Sequence, residues 1–204
     1  MDHFLFIFLS YLLGSFPTAV WIGKVFYNKD VREYGSGNAG ATNTFRVLGK
    51  KAGVPVLLID ILKGWFAVQL SYYVTSSNII EIQLSLGVAA VIGHLFPIYT
   101  GFRGGKGIAT LLGFMIAIQP FAAILSIIIF LITFFLYRYV SLSSIVSSFF
   151  FPLVIIFLND ISSINSSLLL FSIFVPILAL ITHQKNIERL IRGEEIKSTF
   201  GKNK

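Results

Sequence analysis

Long apolar runs separated by short polar stretches dominate the chain. Residues 4 to about 22 form the first run, which carries Gly14-Ser15-Phe16-Pro17 as a kink signal and ends at Lys24. Residues 53 to about 73 form the second, and Pro55 is placed in its first turn, where a missing N–H costs nothing. The third spans about residues 83–99. Residues 108–137 are one apolar stretch interrupted by Gln119-Pro120, and two further runs cover about 142–158 and 167–181. Runs of this length are read as membrane helices. The pattern predicts an all-α polytopic membrane protein whose residues 1–204 form a single domain.

Composition agrees. Of the 204 residues 55% are hydrophobic and only 12% charged, about half the usual charged share. Mean hydropathy is +0.83, which excludes a soluble globular domain. The placement of the +7 net charge is more informative than its size. Lys29, Arg32, Arg46, Lys50 and Lys51 follow the first run; Arg103 and Lys106 follow the third; Arg138 follows residue 137; a basic tail begins at Lys185. The polar segments 75–82 and 159–166, which hold Glu81 and Asp160, contain no Lys or Arg. Splitting 108–137 at Pro120 puts every basic segment on one side, as the positive-inside rule favours. That gives seven transmembrane helices, N-terminus outside and C-terminus cytoplasmic, with 108–119 short for a full crossing. Asp2 stands where a signal peptide has a basic region, so no cleaved leader is expected. With no cysteine, disulfides, thiolate metal sites and a cysteine nucleophile are excluded.

Three polar clusters fall on the side read as cytoplasmic. The first is Gly35-Ser36-Gly37-Asn38-Ala39-Gly40-Ala41-Thr42-Asn43-Thr44-Phe45-Arg46. Glycines bring main-chain N–H groups close to a ligand, successive N–H groups form an anion nest, and an arginine fork suits phosphate. The run reads as a phosphate cradle. It matches Gly-x-Gly-x-x-Gly letter for letter, but a dinucleotide site needs a preceding strand, and a membrane helix precedes it here. The second is Gly93-His94-Leu95-Phe96-Pro97 with Gly101-Phe102-Arg103-Gly104-Gly105-Lys106-Gly107. It fails as a Walker A loop, because three residues separate Gly101 from Gly105 and Gly107 replaces the magnesium-binding Ser/Thr. Glycine amides opening a helix beside Arg103 and Lys106 still attract an anion. The third runs from His183 to Glu195. His183 and Asn186 sit one turn apart on one helix face, and Ile187, Leu190 and Ile191 form an apolar stripe. His183 and Glu188 approximate a His-x4-Asp acyltransferase dyad. Asp60 and Lys63, three apart within the second run, read as a structural ion pair.

In this order and spacing the clusters resemble the three cytoplasmic motifs of the bacterial acyl-phosphate:glycerol-3-phosphate acyltransferase family, PlsY. Lesser matches are Leu13-Gly14-Ser15-x-Pro17, Asp60-x-x-Lys63-Gly64 and Tyr139-Val140-Ser141-Leu142, so the resemblance spans nearly the whole chain. Arg103 stands where the family is expected to carry Lys, and Gln184 where a basic residue is common. The resemblance implies a multi-pass enzyme of the bacterial inner (cytoplasmic) membrane with its active site facing the cytoplasm. It implies transfer of a fatty acyl group from acyl-phosphate to the 1-hydroxyl of glycerol 3-phosphate, giving lysophosphatidic acid and phosphate, the first step of phospholipid synthesis. It implies no cofactor, no metal and no nucleic acid. The partners are the two substrates, membrane lipid and an upstream enzyme that makes acyl-phosphate.

On this resemblance the expected roles are as follows. Backbone N–H groups of the run Gly35–Gly40, glycines Gly37 and Gly40 included, with Ser36, Asn38 and Thr42, hold one phosphate, and Asn43 is a further substrate-binding residue. Arg46, Lys106, His183 and Asn186 are catalytic: they hold glycerol 3-phosphate and present its hydroxyl to the acyl carbon. Arg103, Gly104, Gly105 and Gly107 assist binding, and Ser141 is a further candidate. The proton acceptor is either His183 or a substrate phosphate oxygen. Asp60, Lys63 and Glu195 are supports. Three other readings compete: an anion transporter using the basic loops as a funnel, a lipid-binding scaffold, and an enzyme for a different acyl donor. The chain lacks the paired broken helices of the first, and the second does not explain the glycines.

Overall fold

A computed structural model describes residues 2–74, 78–158 and 164–198. The expected polar segments 75–82 and 159–166, including Asp160, fall partly outside the described residues. Within them the chain is helical, without strands, and divides into two compact units, Met1–Gln119 and Pro120–Lys204.

The first unit opens with α1 (Asp2–Ser15) and α2 (Thr18–Tyr27), interrupted at Phe16-Pro17 as the kink signal predicts. Next come α3 (Ala41–Leu48) and α4 (Lys50–Gln69), then α5 (Ile79–Leu95) and α6 (Ile108–Ile118). Helix α3 corrects the sequence reading, in which residues 35–46 form one loop. Ala41, Phe45 and Leu48 repeat at helical spacing, and Phe45 packs on Gly53 of α4. Ala41 and Leu48 pack against the buried Ala19, Val31 and Val56. This apolar stripe pulls the second half of the run into a helix, so Thr42, Asn43 and Arg46 project from α3. Gly49, at φ +81, permits the tight link to α4. Helix α4 therefore starts before the expected residue 53, and Pro55 lies beyond its first turn. Helix α5 also starts early, at Ile79, with Glu81 in its first turn, where an acidic side chain suits the helix dipole.

Helices pack by close backbone approach. A Cβ on Gly14 would overlap the Ala90 carbonyl, and one on Gly93 the Tyr11 carbonyl, so α1 lies tightly on α5. Gly64 and Gly113 do the same for α4 and α6 against the Thr110 and Ile61 carbonyls. Small residues serve this purpose between membrane helices, where apolar side chains gain nothing over lipid.

The second unit comprises α7 (Pro120–Tyr137), α8 (Val140–Leu158), α9 (Ser166–Thr182) and α10 (Gln184–Ile191). Helix α8 packs on both α7 and α9, and α9 bends by 65° into α10 at His183. The break before Pro120 appears as expected.

Among the described residues five helical segments are long and apolar enough to cross a membrane, and α9 with α10 makes a sixth. The expected seventh, α6, has 11 residues and spans about 16 Å, half of a roughly 30 Å hydrocarbon core. The protein is a multi-pass, all-helical membrane protein.

Candidate active site

In the first unit the two glycine-rich loops meet. Asp30 and Arg32 begin the junction: Arg32 donates from Nε and Nη2 to the two Asp30 oxygens at 3.0 and 2.8 Å, and its backbone N–H adds a third bond. Lys24 Nζ lies 3.3 Å from the same carboxylate. The remaining Arg32 nitrogen, Nη1, donates to the Thr100 carbonyl at 3.1 Å, which ties the first loop to the second. The Arg32 hydrogen bond holds the Asp30 carboxyl well below the usual aspartate range, against the opposing effect of burial.

Within the first loop Gly35 and Gly37 take positive φ of 63° and 71°, which glycine alone adopts without strain. The Asn43 side chain, 1% exposed, clamps the turn. Its oxygen accepts from the Ser36 N–H at 2.9 Å, and its amide donates to the Val31 and Tyr34 carbonyls at 2.7 and 3.1 Å. The Gly37 N–H donates to the Tyr34 carbonyl. Asn43, expected to bind substrate, and the N–H groups of Ser36 and Gly37, expected to face a phosphate, are thus used in shaping the loop. The Ser36 hydroxyl, Asn38 and the open first turn of α3 remain as its polar display. Thr42 and Arg46 are exposed on α3. Gly40 precedes the helix in an extended conformation, without a side-chain cap.

The second loop turns through Gly101 (φ +64°), Phe102 (φ +61°) and Gly107 (φ +78°). Its Gly105 N–H donates inward to the His94 carbonyl at 3.1 Å, so this amide does not point at a ligand as a Walker-type amide does. Gly104 and Gly105 are glycines because a Cβ on either would overlap His94. Lys106 is half-buried just ahead of α6, and Arg103 is exposed. His94, which the second motif carries beside Gly93, thus lies directly against this loop.

In the second unit His183 and Asn186 are both buried at the α9–α10 bend. His183 Nδ1 lies 2.8 Å from the Ala179 carbonyl. A carbonyl only accepts, so Nδ1 carries the proton and the ring lone pair sits on Nε2. Glu195 organises the rest. Its Oε1 accepts from Asn186 Nδ2 and Ser141 Oγ, each at 2.7 Å, and its Oε2 from Arg189 Nε at 2.8 Å. The Ser141 hydroxyl, expected to meet substrate, is therefore committed to Glu195. Glu188 is exposed and pairs with Arg192, so the approximate His-x4-Glu dyad has its acid turned to another partner.

Burial alone would raise the Glu195 carboxyl, but the bonds from Arg189, Ser141 and Asn186 outweigh it and hold the group below its ordinary value. A carboxyl lowered in the native state stabilises the fold above its unfolded pKa and loses that contribution as pH falls through the native value. Thermal stability in detergent is expected to hold from neutral pH down to about pH 4.5 and to decline below it. Glu195→Gln is expected to flatten that decline, which a melting series across pH checks.

Comparison with known proteins places the chain. The family model described as glycerol-3-phosphate acyltransferase matches residues 4–193. The glycerol-3-phosphate acyltransferase of Enterococcus faecalis (strain ATCC 700802 / V583) is 43% identical, with 98% of this chain and 94% of the relative covered. That of Listeria monocytogenes serovar 1/2a is 42% identical over 93% of each chain. The crystal structure of PlsY (YgiH), an integral membrane glycerol 3-phosphate acyltransferase, superposes in its glycerol 3-phosphate form with a TM-score of 0.86. That alignment is 36% identical and covers 97% of this chain and 96% of that one. The lysophosphatidic acid form superposes with a TM-score of 0.80 at 35% identity, covering 97% and 95%. With three ordered motifs, a family match over residues 4–193 and the same helical fold, the chain belongs to the glycerol-3-phosphate acyltransferase family.

Proposed function

We propose that this protein transfers a fatty acyl group from acyl-phosphate to the 1-hydroxyl of glycerol 3-phosphate, releasing lysophosphatidic acid and phosphate. The observation that carries this reading is the pair of structural relatives in glycerol 3-phosphate and lysophosphatidic acid forms. Those two molecules differ by one acyl group, so a fold that holds both is suited to adding it. An acyl-phosphate is a mixed anhydride, activated before it arrives. A chain without cysteine supplies no thiol to carry the acyl group, and direct attack by the substrate hydroxyl needs none. The hydroxyl oxygen forms the new ester bond, the bond from acyl carbon to phosphate oxygen breaks, and phosphate leaves. The attacking hydroxyl's proton passes to His183 Nε2 or to a phosphate oxygen.

The two phosphates are the handles. The first loop and the N-terminal turn of α3, with Ser36, Asn38 and Thr42, hold one of them. Arg46, Lys106, His183 and Asn186 hold glycerol 3-phosphate, and Arg103 assists. Rate comes from orientation and from fixed positive charge around the developing oxyanion. The chain acts as one catalytic domain of seven membrane segments, α6 being the short one. Its N-terminus lies outside and its site faces the cytoplasm of a bacterial inner membrane. There it opens phospholipid synthesis, fed by an enzyme that makes acyl-phosphate.

The donor is the discriminating feature. Purified protein in detergent or lipidic mesophase is given glycerol 3-phosphate with either palmitoyl-phosphate or palmitoyl-CoA. Lysophosphatidic acid is expected from the first donor only. Product from palmitoyl-CoA at a comparable rate would replace acyl-phosphate as the donor and leave the family assignment intact.

A further inference from the structure

The first unit buries a set of polar side chains that the proposed chemistry does not use. Thr18 of α2, Asp60 and Lys63 of α4, His94 of α5 and Thr110 of α6 are each 6% exposed or less. Asp60 Oδ1 accepts from Thr18 Oγ1 at 3.0 Å and from Lys63 Nζ at 2.9 Å, and lies 3.7 Å from His94 Nδ1. Lys63 Nζ also donates to the Phe16 carbonyl at 3.1 Å, which the α1–α2 break exposes. Thr110 Oγ1 lies 3.2 Å from His94 Nδ1. Buried charge in a membrane helix is costly, and apolar residues of similar volume would pack as well. The network therefore calls for a use.

That use is visible at the other edge of the same imidazole. Its Nδ1 edge is held by Thr110 of α6 and faces Asp60 of α4 at 3.7 Å, while its Nε2 edge lies directly under Gly105, the residue before Lys106. A Cβ at Gly105 would overlap His94 Nε2 and would stand 3.1 Å from the Ala39 carbonyl of the first loop. The Gly105 N–H is held by the His94 carbonyl as well. A cavity of about 10 Å³ adjoins His94, Asp60, Lys63 and Ser15. It has room for about one water.

We infer that His94 is a positioning residue: held at Nδ1 by the Thr110 hydroxyl, its ring sets the height of Gly105 and so aims Lys106 at glycerol 3-phosphate. This rests on the reading above that Lys106 binds that substrate. His94→Asn keeps an amide near the Nδ1 position but withdraws the edge beneath Gly105. His94→Gln places its amide near Nε2.

The test measures kcat, the KM of each substrate, glycerol 3-phosphate binding by calorimetry and melting temperature for wild type and both variants. His94→Asn is expected to raise KM and Kd for glycerol 3-phosphate about 10- to 100-fold, as a small misplacement of a binding group does. The KM for palmitoyl-phosphate should stay within about twofold, and His94→Gln should recover part of the loss. Gly105→Ala should be impaired alone and should add little to His94→Asn, because the smaller side chain makes room for the new methyl. Wild-type turnover with an unchanged glycerol 3-phosphate KM in His94→Asn overturns the inference. So does an equal rise in both KM values, or a lower melting temperature with kinetics intact; each makes His94 a structural residue alone. If His94→Asn does not fold, the same readings on His94→Gln and Gly105→Ala decide. Wild type that neither binds glycerol 3-phosphate nor makes lysophosphatidic acid strikes instead at the acyltransferase reading.

Discussion

Lys106→Ala is expected to lower kcat/KM for glycerol 3-phosphate by about 10²–10³-fold, the loss seen when one fixed electrostatic donor is removed from a developing charge. Gly105 is pinned to the His94 carbonyl and Gly107 turns at positive φ into α6, so the Lys106 backbone is held on both sides. Its ammonium supplies positive charge beside the open N-terminal turn of α6, and both favour an anion. The close packing of α6 on α4 runs through Gly64, Gly113 and their facing carbonyls. Insertion and melting temperature should therefore stay near wild type. Lys106→Arg keeps the charge in a broader fork and is expected to retain an intermediate rate. Normal turnover in Lys106→Ala, measured as lysophosphatidic acid formed, would remove this residue from the site.

His183→Ala carries the second large effect. Its Nδ1 proton is fixed on the Ala179 carbonyl, so the ring is held in one tautomer with Nε2 as the basic edge. If Nε2 takes the hydroxyl proton, kcat should fall about 10²–10⁴-fold. On that route the acidic limb of the wild-type pH–rate profile comes from the general base and should disappear with it. If a phosphate oxygen takes the proton, the drop is smaller, falls more on glycerol 3-phosphate binding, and leaves that limb in place. The profile of the variant separates the two routes, which the sequence leaves open. Asn186 shares the outcome indirectly, since Glu195 holds it and Arg189 together.

Much of this was legible in the chain itself. The apolar runs, the kink at Phe16-Pro17, the break at Gln119-Pro120 and the two glycine-rich basic loops are local signals, and the structure repeats them. The Asp60–Lys63 pair follows from spacing alone and stands at 2.9 Å. What could not be read is where hydrogen bonds go once distant segments meet. An asparagine in a glycine run looks like a ligand; only the folded loop shows that Asn43 spends its amide on Ser36, Val31 and Tyr34. Ser141 and Glu195 stand far apart in the chain, and neither period nor composition reports their bond. His94 lies inside a matched motif, yet its ring bonds Thr110 of α6 and stands against Gly105, which spacing alone does not report. Helix α3 was missed because three glycines at its front masked the stripe of Ala41, Phe45 and Leu48.

The most direct test of the central claim follows lysophosphatidic acid and phosphate together, in purified protein supplied with palmitoyl-phosphate and glycerol 3-phosphate. Acyl transfer predicts that the two products appear in equal amounts and that phosphate release stops when glycerol 3-phosphate is left out. Phosphate released without lysophosphatidic acid would show a hydrolase. Folded protein that makes neither product but carries glycerol 3-phosphate into vesicles would contradict the account in favour of transport.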